Sequence, residues 1–126
     1  MLFVAGQSTG SSGVEDYATM AYDADSGNRL WTRRYDGPRN LRDDATALAV
    51  SPDGSRIFVT GESAGSTDRT DYATVAYAAR SGKRLWAARY DGGTDGRDDA
   101  ATAIGVSPDG GSVFVTGRSG TRLRRS

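Results

Sequence analysis

Two pairs of adjacent carboxylates, Asp43-Asp44 and Asp98-Asp99, are the side chains best placed to do chemistry. Each pair opens a segment that reads as a strand, and carboxylate oxygens are natural ligands for a hard cation such as Ca²⁺. No Asp-x-Asp-x-Asp-Gly loop surrounds either pair. The stronger reading is that Asp caps the preceding turn and keeps it in water. A glycosidase acid and base must flank one bond at a defined separation, whereas Asp residues at equivalent positions of a repeat lie on different units. The glycine-rich run Gly6-Gln7-Ser8-Thr9-Gly10-Ser11-Ser12-Gly13 has no Gly-Lys-Ser/Thr ending and opens no helix, so it reads as a flexible edge loop rather than a phosphate cradle. The chain has no His and no Cys. It therefore lacks the commonest general base, any thiolate nucleophile and any disulfide framework. No catalytic set, cofactor site or metal site is expected, with Asp43, Asp44, Asp98 and Asp99 the only weak metal candidates.

The elements that must position these residues are copied along the chain. Asp16-Tyr17-Ala18-Thr19-Met20-Ala21-Tyr22 returns as Asp71-Tyr72-Ala73-Thr74-Val75-Ala76-Tyr77, and Leu30-Trp31 returns as Leu85-Trp86, both 55 residues on. Phe3-Val4-Ala5-Gly6 becomes Phe58-Val59-Thr60-Gly61 and then Phe114-Val115-Thr116-Gly117, the last step being 56. Matching Asp44-Ala45-Thr46 with Asp99-Ala100-Ala101-Thr102 places the extra residue inside that stretch. A fixed period of this size marks a repeat architecture.

One complete unit reads as four strands: Ala45–Val50, Arg56–Thr60, Tyr72–Tyr77 and Arg84–Tyr90. The first two are joined by Ser51-Pro52-Asp53-Gly54, and Ser107-Pro108-Asp109-Gly110 repeats that hairpin turn. Pro sets φ, Asp bonds back to nearby amides, and Gly54 and Gly110 supply positive φ. Strict alternation puts Thr46, Leu48 and Val50 on one face and Ala45, Ala47 and Ala49 on the other, with Thr102, Ile104, Val106 against Ala101, Ala103, Gly105 in the next copy. The later strands carry Tyr72, Val75, Tyr77, Leu85, Trp86 and Tyr90. Such a unit is apolar on both faces and must be sandwiched between neighbours. Tyr17, Tyr22, Trp31 and Tyr35 fall on strands and read as packing residues rather than sugar-stacking platforms. The fold class is all-β, built from four-stranded antiparallel β-propeller blades. A β-solenoid has shorter periods, helical repeats need a 3.6-residue pattern that is absent, and a two-sheet sandwich does not call for near-identical units.

Sixteen basic and sixteen acidic residues cancel, so no whole-chain field points to nucleic acid or an anionic membrane. Fifteen of the bases are Arg and fourteen of the acids Asp, the bias of a GC-rich coding sequence. No apolar run approaches the ~20 residues that span a bilayer. Met1-Leu2-Phe3-Val4-Ala5 is too short for a signal peptide and copies an internal strand.

The segment Ala21-x-Asp23-x-x-Ser26-Gly27-x-x-x-Trp31 resembles the tryptophan-docking motif of pyrroloquinoline-quinone (PQQ) type quinoprotein propellers, with Ser where Thr is usual. Its second copy, Ala76-x-Ala78-x-x-Ser81-Gly82-x-x-x-Trp86, lacks the Asp. Ser-Pro-Asp-Gly followed by Phe-Val-Thr-Gly is similar to bacterial surface β-propeller repeats of the YVTN and SBBP kinds. The likeness covers nearly the whole chain, from Phe3 to about Ser119. It implies that Gly27 and Gly82 permit tight turns, that Trp31 and Trp86 pack flat on a neighbouring blade, and that the parent protein is extracellular or on the cell surface. It does not carry over the catalytic positions of the quinoprotein dehydrogenases, whose cofactor sits at the ring axis with Ca²⁺ and a catalytic carboxylate.

A propeller closes with roughly 4–8 blades, and this chain reads as about 2.25: a partial blade of three strands over 1–36, a complete blade over 45–92, a two-stranded partial blade over 100–119, and a disordered Arg-rich tail over 120–126. The chain is accordingly expected to be a fragment. Ring closure by several copies sharing strands would duplicate the second strand. The expected role is a non-catalytic repeat segment with a binding or scaffold function, its partners other blades or its own copies through exposed edges, with an unidentified ligand at the loops. The alternative is a piece of a PQQ-dependent quinoprotein-like oxidoreductase whose catalytic blades lie elsewhere.

Overall fold

The computed structural model describes residues 1–9, 15–35, 43–64, 70–90 and 99–119. Nine strands run through them: β1 (Leu2–Thr9), β2 (Glu15–Tyr22), β3 (Arg29–Tyr35), β4 (Asp43–Val50), β5 (Arg56–Ala64), β6 (Thr70–Ala78), β7 (Arg84–Tyr90), β8 (Asp99–Val106) and β9 (Val113–Ser119). They form three antiparallel sheets in chain order, β1-β2-β3, β4-β5-β6-β7 and β8-β9. No helix among the described residues is long and apolar enough to cross a membrane.

Alternation gives the second sheet apolar side chains on both faces, so that sheet buries area on two sides. The second sheet lies between the other two: β4 packs on β1 and β2, and β8 packs on β4, β5 and β6. Between the first and second sheets the core is Tyr17, Ala21, Trp31, Tyr35, Ile57, Val59, Ala73, Val75, Tyr77 and Ala79, with Phe3, Ala5, Ala45 and Leu48 packed against it. The other face of the second sheet presents Phe58, Thr60 and Ala76, all buried.

The hairpin turns follow their residues closely. In the β4–β5 turn, Asp53 Oδ1 accepts from Ser51 Oγ (2.7 Å), Ser55 N (3.0 Å) and Ser55 Oγ (2.7 Å). Gly54 sits at φ 75° with its amide donating to the Ser51 carbonyl at 2.8 Å. In the β8–β9 turn Asp109 Oδ1 accepts from Ser107 Oγ (2.6 Å) and Gly111 N (2.9 Å), and Gly110 also has φ 75°. These donors favour the ionised carboxylate. They lower Asp53 from its ordinary value to about 2 and move Asp109 in the same direction.

Three expectations are corrected by the register. Simple alternation fails in β4, because Ala45 pairs with Gly61 and Ala47 with Thr60, leaving Thr46 as a bulge. A bulge inserts one residue and reverses the facing of what precedes it. Ala45 thus joins Leu48 against the first sheet, and Thr46 is exposed, its hydroxyl 3.4 Å from the Thr60 carbonyl. The same shift recurs between Ala101 and Ala103. Second, the extra residue lies before β8 rather than within it: Asp43 pairs with Ser63 as Asp99 pairs with Ser119, both 56 residues apart, so Asp44 corresponds to Ala100. Third, Gly6–Thr9 are not loop but the end of β1, paired with Glu15–Ala18.

Candidate functional site

The sequence-derived carboxylate candidates divide between strand starts and residues outside the description. Asp43 and Asp44 begin β4 and Asp99 begins β8, while Asp98 and the Arg122–Ser126 tail lie outside the described residues. The register breaks the symmetry of the pairs, since only Asp43 and Asp99 share a strand position. Among the described residues no three His, Cys, Asp or Glu side chains come together as a metal-ligand group.

Side chains do converge where one sheet meets the next. Trp31, on β3, is 7 % exposed. Its indole Nε1 donates to the Ala79 carbonyl at 2.9 Å, and its ring covers Gly82 in the β6–β7 turn so closely that a Cβ built there stands 2.6 Å from Trp31 Cδ2. Gly82 also has φ 76°, so backbone conformation and ring contact both call for glycine. Phe3 and Tyr77 flank the indole, at centroid distances of 6.2 and 6.0 Å. Around this joint, Arg33 lies over the Trp31 ring and donates to the Ser81 carbonyl at 3.1 Å. Tyr17 OH donates to the Ala73 carbonyl at 2.9 Å, and Arg89 donates to Tyr35 OH at 3.2 Å. Burial pushes the Tyr77 phenol above its ordinary value.

The two turns of this type are built differently. In the first, Asp23 Oδ1 accepts from the amides of Asp25 (2.8 Å) and Ser26 (3.0 Å), which lowers its pKa. Gly27 closes that turn at φ 78° with open space beside it. In the second, Ala78 replaces the Asp, yet the backbone bonds persist: Ala78 N to Lys83 O and Gly82 N to Ala78 O, both 2.8 Å. The turn without the carboxylate is the one covered by Trp31.

The chain matches no family model and no curated protein.

The corresponding joint from the second sheet to the third is half built. Trp86 keeps its own-sheet partner, Phe58, at 6.0 Å and 35°, close to the 6.2 Å and 38° of Phe3 and Trp31. Arg56 donates to the Gly110 carbonyl at 3.0 Å, tying the second sheet to the third. But Trp86 is 40 % exposed and Tyr90 54 %, whereas Tyr35 is 6 %. Beside them a cleft of about 450 Å³ opens between β6–β7 and β9, lined by Thr74, Ala88, Tyr90, Val113, Val115 and Gly117 among others. Sequence reading singled out Trp86 as the twin of Trp31 and missed this cleft. The signal for it lies in the strand count, because the third sheet has two strands where the second has four.

Proposed function

We propose that the chain is a non-catalytic β-propeller repeat segment with a binding or scaffold role in a secreted or cell-surface bacterial protein. The supporting observation is what the repeated Gly-to-Trp segment does: Trp31 spends its indole on Ala79 and Gly82 of the adjacent sheet. A residue copied along the chain is thus used for stacking one unit on another, as a radial array of sheets requires. The three sheets are read as successive blades, and the partners as other blades or further copies meeting at exposed edges. The resemblance to surface repeats supplies the cellular setting, and fold resemblance alone assigns no reaction.

Titration of the chain with PQQ, followed by quenching of Trp emission, is expected to show no saturable binding. Tight one-to-one binding would instead make the chain part of a quinoprotein.

A further inference from the structure

We propose that the cleft between β7 and β9 is an acceptor for a β-hairpin of the chain's own repeat type. The inference deepens the scaffold reading and rests on it. Its template is the completed joint between the first and second sheets. There, the space beside β3 is filled by β6, whose Ala73, Val75 and Tyr77 meet Tyr17, Trp31 and Tyr35. The cleft stands at the equivalent place one unit later: Thr74, Ala88 and Tyr90 match Thr19, Arg33 and Tyr35, while Val113, Val115 and Gly117 match Ile57, Val59 and Gly61. Continuity with the existing interface therefore states what fits. A first strand patterned Ala-x-Val-x-Tyr lies along β9, which is paired by β8 on one side and by no described strand on the other. A second strand follows a Ser-Gly turn, and the turn glycine receives the Trp86 ring as Gly82 receives Trp31.

The same comparison fixes the number of strands. β8 packs on β4, β5 and β6 of the second sheet, repeating the way β4 packs on β1 and β2. β9 thus already holds the place that β5 holds in the second sheet. The intact three-stranded first sheet of another copy would bring β1, the counterpart of β9, into an occupied position. Two strands fit and three do not. Main-chain pairing along β9 supplies affinity, and the pockets for alternate side chains supply selectivity.

The test uses the full chain and a peptide of residues 70–90 with Trp86 replaced by Phe, so that the emission reports the protein. Saturable one-to-one binding is expected, with a blue shift of the Trp86 emission. The shift should vanish in the Trp86→Phe protein, and a Gly82→Val peptide should bind about tenfold or more weakly, its turn being unable to take the indole. Trp86 is partly exposed, so its replacement leaves the core between the first and second sheets intact. Absence of binding, or equal binding by the Gly82→Val peptide, overturns the proposal. So does a homodimer in sedimentation that buries Trp86 and excludes the peptide. None of these results involves PQQ, so failure of the hairpin proposal stays distinct from failure of the scaffold reading.

Discussion

The joint between the first and second sheets and the joint between the second and third begin from nearly the same residues and end in different states. Trp31 and Trp86 each lean on a phenylalanine of their own sheet at about 6 Å. Among the described residues, only Trp31 has a glycine turn and a backbone carbonyl facing it from the next sheet. An aromatic side chain contributes most when its apolar faces and its N–H are all satisfied together. The difference teaches that the motif fixes half of an interface, and that the neighbouring sheet determines its energetic value.

Truncating the two tryptophans should expose this asymmetry most strongly. Trp31→Ala is expected to cost about 3–5 kcal/mol of stability, as for a large buried aromatic. Trp86→Ala should cost about 1 kcal/mol or less in the isolated chain. Urea denaturation followed by far-ultraviolet circular dichroism measures both, and equal losses would erase the distinction between the joints.

The next contrast is between the turn glycines. Gly27→Ala meets only the left-handed backbone penalty, about 1–2 kcal/mol. Gly82→Ala adds the collision with the Trp31 ring and should lose about 3 kcal/mol in all. If the two variants melt together, Trp31 does not rest on Gly82 in solution.

A smaller effect separates the hairpin ends by pH. Asp53 has a folded pKa of about 2 against an ordinary 3.8. Its contribution is therefore complete above about pH 4 and is lost as the pH falls toward 2. Asp109 shifts in the same direction with fewer hydrogen bonds. Acid titration of stability should show a shallower decline below pH 4 for Asp53→Asn than for the parent, and a smaller change for Asp109→Asn. A parent curve that is flat between pH 4 and 2 would contradict the turn geometry.

What could be read from the residues was local. Pro52, Asp53 and Gly54 specify their hairpin through φ preferences and a short-range carboxylate, and Tyr72–Tyr77 and Arg84–Tyr90 alternate cleanly enough to place strands. Thr46 shows the limit: whether an alternating run is continuous or bulged depends on the partner strand, whose register is set at Gly61 and Thr60. The Asp pairs show another, since equivalent letters at Asp44 and Asp99 do not hold equivalent places. Exposure of Trp86 is invisible at the level of its own motif, because burial is a property of what lies across from it. The likeness between turns also concealed a division of labour: Asp23 holds an uncovered turn from within, whereas the turn at Ala78 is held by an indole from outside.

That indole-on-glycine contact is one-way. The first two units each carry a ring and a glycine turn, and the ring of one meets the turn of the next, so the contact is head to tail and not self-complementary. Repetition of such a contact yields a closed circle or an endless filament according to the rotation per step. A change at Gly82 is therefore felt first at Trp31, in the unit that comes before it.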